Sequence, residues 1–272
     1  MDSSTEITAK PSEIKPMSLG RYFSSILTLA EFDLRKLKHD SVQVWVRLVQ
    51  PVLWLAIFGT VMSNFRVLPA GYSDYKQFLA PGVLAQSVMF VAIFYGITIV
   101  WERDLGQLNK LISTPTSRSA IVLGKTLSAG IRGIFQAIAI LILAVIMRID
   151  ISFNPLNILG ILVITILFGM CFSSLSICLA SIFKTRERMM GIGQAITMPL
   201  FFASNAIYPL SLMPDWVRYI ATVNPLTYFV GAIRALMITN DFSQFPLDIA
   251  VIVGSTAILV ALASWRFSKM VS

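Results

Sequence analysis

Long apolar runs alternating with short polar segments dominate this chain of 272 residues. A membrane-crossing helix needs about 20 mostly apolar residues. Six runs qualify, at about 44–63, 78–101, 121–147, 156–183, 191–208 and 247–266. The pattern predicts an all-α membrane protein with six transmembrane helices in a single transmembrane domain, residues 41–272, and both termini on one side. Residues 1–16 are polar and rich in Ser, Thr, Glu, Lys and Pro, which predicts a flexible tail and no secretory leader. Residues 17–40 differ. There Leu19, Tyr22, Phe23, Ile26, Leu27, Ala30, Leu34 and Leu37 recur at spacings of three and four, and Arg21, Ser24, Ser25, Thr28, Glu31, Arg35 and Lys38 fill the other face. The spacing predicts an amphipathic helix, either lying in the membrane interface or packed against a soluble partner.

Two connections carry structure of their own. In residues 102–120, a short helix with Leu105, Leu108, Leu111 and Ile112 on one side breaks at residues 113–115, and the third run starts near Ile121. In residues 209–240, Met213-Pro214-Asp215 opens one short helix and Asn224-Pro225 opens another, the latter as cap and first-turn residue. The apolar stretch after Pro225 is too short to cross a membrane and contains Arg234. With Trp216, Tyr219, Tyr228 and Phe229 as interface anchors, the segment predicts a re-entrant helical hairpin, because helices keep backbone groups paired in lipid.

Composition narrows the class. Apolar residues make up 56% and charged ones 13%, with mean hydropathy +0.75; a soluble domain carries about 25% charge, so soluble enzymes are excluded. The formal charge of +8 suggests a nucleic-acid partner at first sight. Counted by side, however, 17 Lys and Arg against 9 acids fall with the termini, and 5 against 5 fall opposite. Positive charge collects on cytoplasmic segments, so the surplus records orientation, with both termini cytoplasmic, and no nucleic acid is implied.

The chemistry inside the runs is sparse. No acidic residue lies within them away from their edges; Glu102 and Asp248 sit at run ends. A proton-coupled carrier would need a membrane-embedded carboxylate or histidine, and a membrane enzyme a cluster of Asp, Glu or His. Cys171 and Cys178 share a helix face as small buried hydrophobes, and His39 stands alone, so neither a metal nor a cofactor is expected in this chain. Gly124-Lys125-Thr126 resembles the end of a phosphate-binding loop, but Ser119 occupies the required first glycine position and no strand precedes it. If ATP is used, another chain binds it. Arg47, Lys125 and Arg132 lie toward the cytoplasmic ends of runs, where long cationic side chains snorkel to headgroups or contact an anionic substrate or an adjacent loop. Gln50, Gln86, Gln194 and Asn205 are scattered amides in the first, second and fifth runs, suited either to helix packing or to lining a pathway.

The run Glu102-Arg103-Asp104-Leu105-Gly106-Gln107-Leu108, followed by Leu111, Pro115 and Gly124-Lys125, resembles the cytoplasmic-loop signature of type-2 ABC exporter permeases. Asn224-Pro225-Leu226-Thr227-Tyr228, with Arg234 beyond, resembles their second signature before the last span. The likeness spans about residues 17–270 and is nearest in character to daunorubicin-resistance and nodulation-type permeases. It implies a non-enzymatic membrane subunit that pairs with a second copy or a related permease. Two cytoplasmic ATPase subunits would bind the ATP and Mg. By the resemblance, Glu102, Arg103, Gly106, Leu108 and Pro115 belong to an ATPase-coupling loop, and Asn224, Pro225 and Arg234 to an outer hairpin. The expected activity is export of an amphipathic, drug-like or lipid-like compound across the cell membrane. An ATP-independent carrier or channel is the alternative, and the missing carboxylates argue against it. A membrane scaffold or enzyme is a third reading, and it would carry a polar catalytic cluster.

Overall fold

The computed structural model describes residues 19–39, 41–64, 72–114, 116–183 and 185–271, so the expected tail at residues 1–16 and Pro115 lie outside the described residues. Among the described residues every regular element is helical. Helix α1 (Leu19–His39) precedes α2 (Ser41–Leu53), a π-helical turn (Trp54–Phe58) and α3 (Gly59–Asn64). The π turn follows Pro51, whose missing N–H breaks the regular ladder. Then come α4 (Tyr75–Asp104), α5 (Gln107–Ile112), α6 (Arg118–Ile146), α7 (Pro155–Ile182) and α8 (Arg186–Phe202). A 3-10 turn leads to α9 (Asp215–Val223), α10 (Pro225–Arg234), a second π turn (Ala235–Thr239) and α11 (Phe245–Val271).

Helix starts follow capping chemistry. Asp74, Ser117, Asn154 and Asn224 each accept a hydrogen bond from a backbone N–H of the first turn, of α4, α6, α7 and α10 respectively. Pro155 and Pro225 supply the first helical residue of α7 and α10. Val46–Asn64, α4, α6, α7 and Phe245–Lys269 are long and apolar enough to cross a membrane. Helices α9 and α10, with the π turn after it, pass the same test only as a pair, bent by 80° at Asn224.

α4, α6 and α7 pack against one another as the centre of the bundle. α11 lies on α7 and α6, α8 beside α4, and α1 along α6. Contacts in lipid depend on close packing and interhelical hydrogen bonds. Ser176 Oγ donates to the Ile93 carbonyl at 2.7 Å, and Thr256 Oγ1 to that of Leu167 at 3.2 Å. Phe168 of α7 stacks on Phe229 of α10 with ring centroids 3.7 Å apart.

The fifth apolar run differs from its expected form. Its helix, α8, starts earlier than 191 and ends at Phe202 after 17 residues, about 25 Å of rise and short of a ~30 Å hydrocarbon core. Residues 203–208, expected in the span, leave the helix. Their backbone is held by side chains from elsewhere: Tyr75 Oη donates to the Ile207 carbonyl at 2.6 Å and Arg234 to that of Asn205 at 2.9 Å. Long-range donors thus do the pairing that a longer helix would have done internally.

Candidate functional site

Three features concentrate the polar chemistry of the bundle. The first lies where α4 ends and α6 begins. Lys125 of α6, 3% exposed, sits 2.6 Å from Glu102 in the last turn of α4 and 3.4 Å from Asp33 of α1. Tyr95 donates to Asp33 at 2.5 Å, Arg132 donates to the Asp33 carbonyl, and the Arg132 guanidinium lies over the Tyr95 ring at 4.4 Å. A buried ammonium shared by two carboxylates is stable only when all three charges stay together. The geometry therefore locks α1, α4 and α6 to one another. Close approach makes it possible: a Cβ on Gly124 would come within 2.7 Å of Leu29 in α1. Gly124-Lys125-Thr126 thus lies inside a packed helix.

Lys125 and Arg132, expected near run ends, contact protein groups, Lys125 reaching Glu102 at the end of α4. α1 itself is rotated from its apolar stripe. Ile26, Ala30 and Asp33 are buried, whereas Leu19, Phe23 and Leu27 are exposed at 78%, 61% and 62%.

Beyond Glu102, Arg103 closes the α4 helix: its carbonyl accepts from the N–H of Gly106, whose φ of +68° is left-handed and suits glycine. That reversal separates α4 from α5 and leaves Leu105 exposed at the end of α4, outside the short helix expected to include it. α5 covers Gln107–Ile112, and the side chain of Leu108 lies outside the described residues, as does Pro115. Leu111 packs back on the apolar cluster around Ile99 and Ile121.

The second feature is the pinning of the α9–α10 pair. The Asn224 side chain caps α10 and donates to the carbonyls of Leu200 and Ala203 at 2.6 and 2.8 Å. Arg234, besides holding Asn205, donates to the Phe78 carbonyl at 3.3 Å, with its guanidinium 4.2 Å over the Phe78 ring. Pro225 starts the helix between these two anchors. Asn224 and Arg234 therefore fasten the pair to the C-terminal end of α8 and the N-terminal end of α4.

The third feature is a cavity of about 340 Å³ between α2, α4 and α8. Gln50, Gln86 and Gln194, from three helices distant in sequence, converge on it, together with Arg47 and the stacked rings of Phe90 and Phe94. Asn205 does not line it and sits at the foot of the α9–α10 pair, bonded through its carbonyl to Arg234.

A profile of the ABC-2 type transporter family matches residues 24–238. The chain belongs to the ABC-2 type transporter family. Among its relatives is a putative transport permease, ycf38, of Porphyra purpurea, 28% identical over 74% of this chain and 72% of the relative. Another is the daunorubicin resistance ABC transporter permease protein DrrB1 of Streptomyces coeruleorubidus, 24% identical over 83% and 79%. Nodulation protein J of Rhizobium leguminosarum bv. viciae is 26% identical over 75% and 78%. ABC-2 membership implies an ABC ATPase as partner.

In this ABC-2 protein, the residues of the first and second signatures fall at opposite ends of the bundle, by Glu102 at the C-terminal end of α4 and by Phe78 at its N-terminal end. Sequence reasoning missed Asp33 and Tyr95. Asp33 had a signal: it follows Ile26 and Ala30 at helical spacing, placing a carboxylate on the face that packs inward. Tyr95 had none, since an aromatic inside an apolar helix reads as core.

Proposed function

We propose that the chain is the membrane subunit of an ATP-driven exporter, with ATP and Mg bound by the partner ATPase and no catalytic residues of its own. In this reading both termini are cytoplasmic in a cell membrane and α1 lies in the interface. α5 and its flanks, Glu102, Arg103, Gly106, Leu108 and Pro115, take up ATPase motion. Lys125 carries that motion from Glu102 into α6 and α1. The α9–α10 pair dips into the outer leaflet, anchored by Asn224, Pro225 and Arg234. The most apolar window of Val46–Asn64 is only 17% buried, and this open face, next to α8, is where a second permease copy or a related permease would close the pathway. The cargo is an amphipathic, drug-like or lipid-like compound.

The observation that carries the reading is the cavity beside that open helix, where three amides, Arg47 and Ser87 meet the apolar side chains of Val46, Pro51, Phe90, Val91 and Phe94. Two experiments test it. Purification should co-isolate an ABC ATPase, and replacing Arg103 by Ala, which leaves the Lys125–Glu102 contact in place, should release it; retained association would remove the loop from its coupling role. A cysteine at Ser211 should react with an impermeant reagent from outside the cell, and labelling only from the cytoplasm would invert the topology.

A further inference from the structure

We infer that Asp248 is a positioning residue for the α9–α10 pair: across the α10–α11 contact its carboxylate holds the Arg234 guanidinium by charge, and the two form a latch that parts when the pair lifts from the bundle. Asp248 lies in the first turn of α11 and is 8% exposed, a buried carboxylate that belongs to neither signature. α10 packs on α11. The carboxylate is seated against α10 at Gly231, where a Cβ would come 2.8 Å from Asp248 Oδ2 and 3.3 Å from its Cγ. Gly231 and Arg234 are three residues apart and so neighbours on one helix face. The charges of Asp248 and Arg234 act on each other there. In surroundings of low dielectric such an attraction reaches beyond direct contact.

Arg234 is where a counter-charge has most to do. Its guanidinium donates to the carbonyls of Asn205 and Phe78 and lies over the Phe78 ring, and its Nε has no hydrogen-bond partner among the described residues. Neutral carbonyls and a ring occupy donors but do not cancel a buried charge, which is costly when left alone. Asp248 supplies the cancelling charge from a fourth segment. One guanidinium thereby joins α10 to α11, to the start of α4 and to the residues after α8. Lifting the pair would separate the two charges, so the seated position is the one they favour. That lifting belongs to export rests on the exporter reading; that Asp248 seats the pair does not.

The test follows hydrogen exchange by mass spectrometry on the full-length chain in phosphatidylcholine nanodiscs, reading α10 and the first turns of α11 separately. Asp248→Asn keeps the shape and removes the charge, and should speed exchange in residues 225–234 about tenfold or more. Asp248→Glu should keep α10 protected. A carboxylate that served only the start of its own helix would loosen α11 instead. Arg234→Gln should also speed α10, and adding Asp248→Asn to it should change little more, because the latch is already open.

Gly231→Ala reads the same contact with little risk to folding, since the atoms it displaces are the end of a side chain. Alanine favours a helix over glycine, so without a latch this variant would slow exchange in α10. Displacing the carboxylate should speed it. Unchanged exchange in α10 of Asp248→Asn, independent multiplication of the two charge variants, or slowed exchange in Gly231→Ala overturns the latch; if Asp248→Asn does not fold, Gly231→Ala decides. Loss of the latch with ATPase co-isolation intact leaves the exporter reading standing. A latch upheld in a chain that co-isolates no ATPase keeps the role of Asp248 and removes the exporter reading alone.

Discussion

The joint at Asp33, Lys125 and Glu102 and the cavity at Arg47 and Gln86 both put polar groups where apolar surroundings make them costly, but they treat those groups in opposite ways. In the joint, the buried Lys125 lies 2.6 Å from Glu102 and 3.4 Å from the buried Asp33, with Tyr95 donating to the Asp33 carboxylate and Arg132 to its backbone carbonyl. In the cavity, Gln86 keeps a buried donor without a partner among the described residues. Their surroundings differ in the same sense. The window of α4 is 83% buried, against 17% for Val46–Asn64. The comparison teaches that satisfied polar groups bind helices into one body, and unsatisfied ones beside an exposed helix mark where another molecule belongs.

The sharpest way to break this comparison is at Lys125. Lys125→Met strands the buried carboxylate of Asp33 and the partly buried one of Glu102 and should cost about 3–5 kcal/mol, read as a lowered unfolding temperature in nanodiscs and earlier proteolysis of α1. Unchanged stability would mean that the three charges do not hold the helices together. Next in size is Asn224→Ala. It removes a helix cap and two donors to the end of α8, and should cost about 2–3 kcal/mol, measured by the same melt with hydrogen exchange localising the loss to α10. The smallest effect belongs to the cavity: Gln86→Leu should leave stability unchanged or raise it by up to about 1 kcal/mol. A clear loss there would show that Gln86 is a packing residue and erase the contrast.

Much of this arrangement was legible in the sequence where the cause is local. Asn154-Pro155 and Asn224-Pro225 announce helix starts because a cap and a pre-set φ act within a few residues. Residues 113–114 mark the end of α5 for the same reason, whereas the sequence pattern runs the short helix through Gly106, where the structure breaks it. The end of α8 was not legible. Residues 203–208 hold no proline, glycine or charge to announce a break, and the donors from Tyr75 and Arg234 that let them leave the helix lie far along the chain. The four amides could be named from sequence, but their meeting could not: three reach the cavity, and Asn205 meets the α9–α10 pair through its backbone carbonyl. Asp33 escaped because it interrupts the apolar stripe on which it lies.

The account turns on α5 being the element that an ATPase grips, and site-specific cross-linking measures this most directly. Gln107 is exposed at the start of α5 and Ser211 is exposed at the other end of the bundle, so a photoreactive group at either position leaves the packing intact. The account predicts a cross-link from position 107 to an ABC ATPase chain, altered by ATP, and none from position 211. A cross-link from 211 with none from 107 would contradict it.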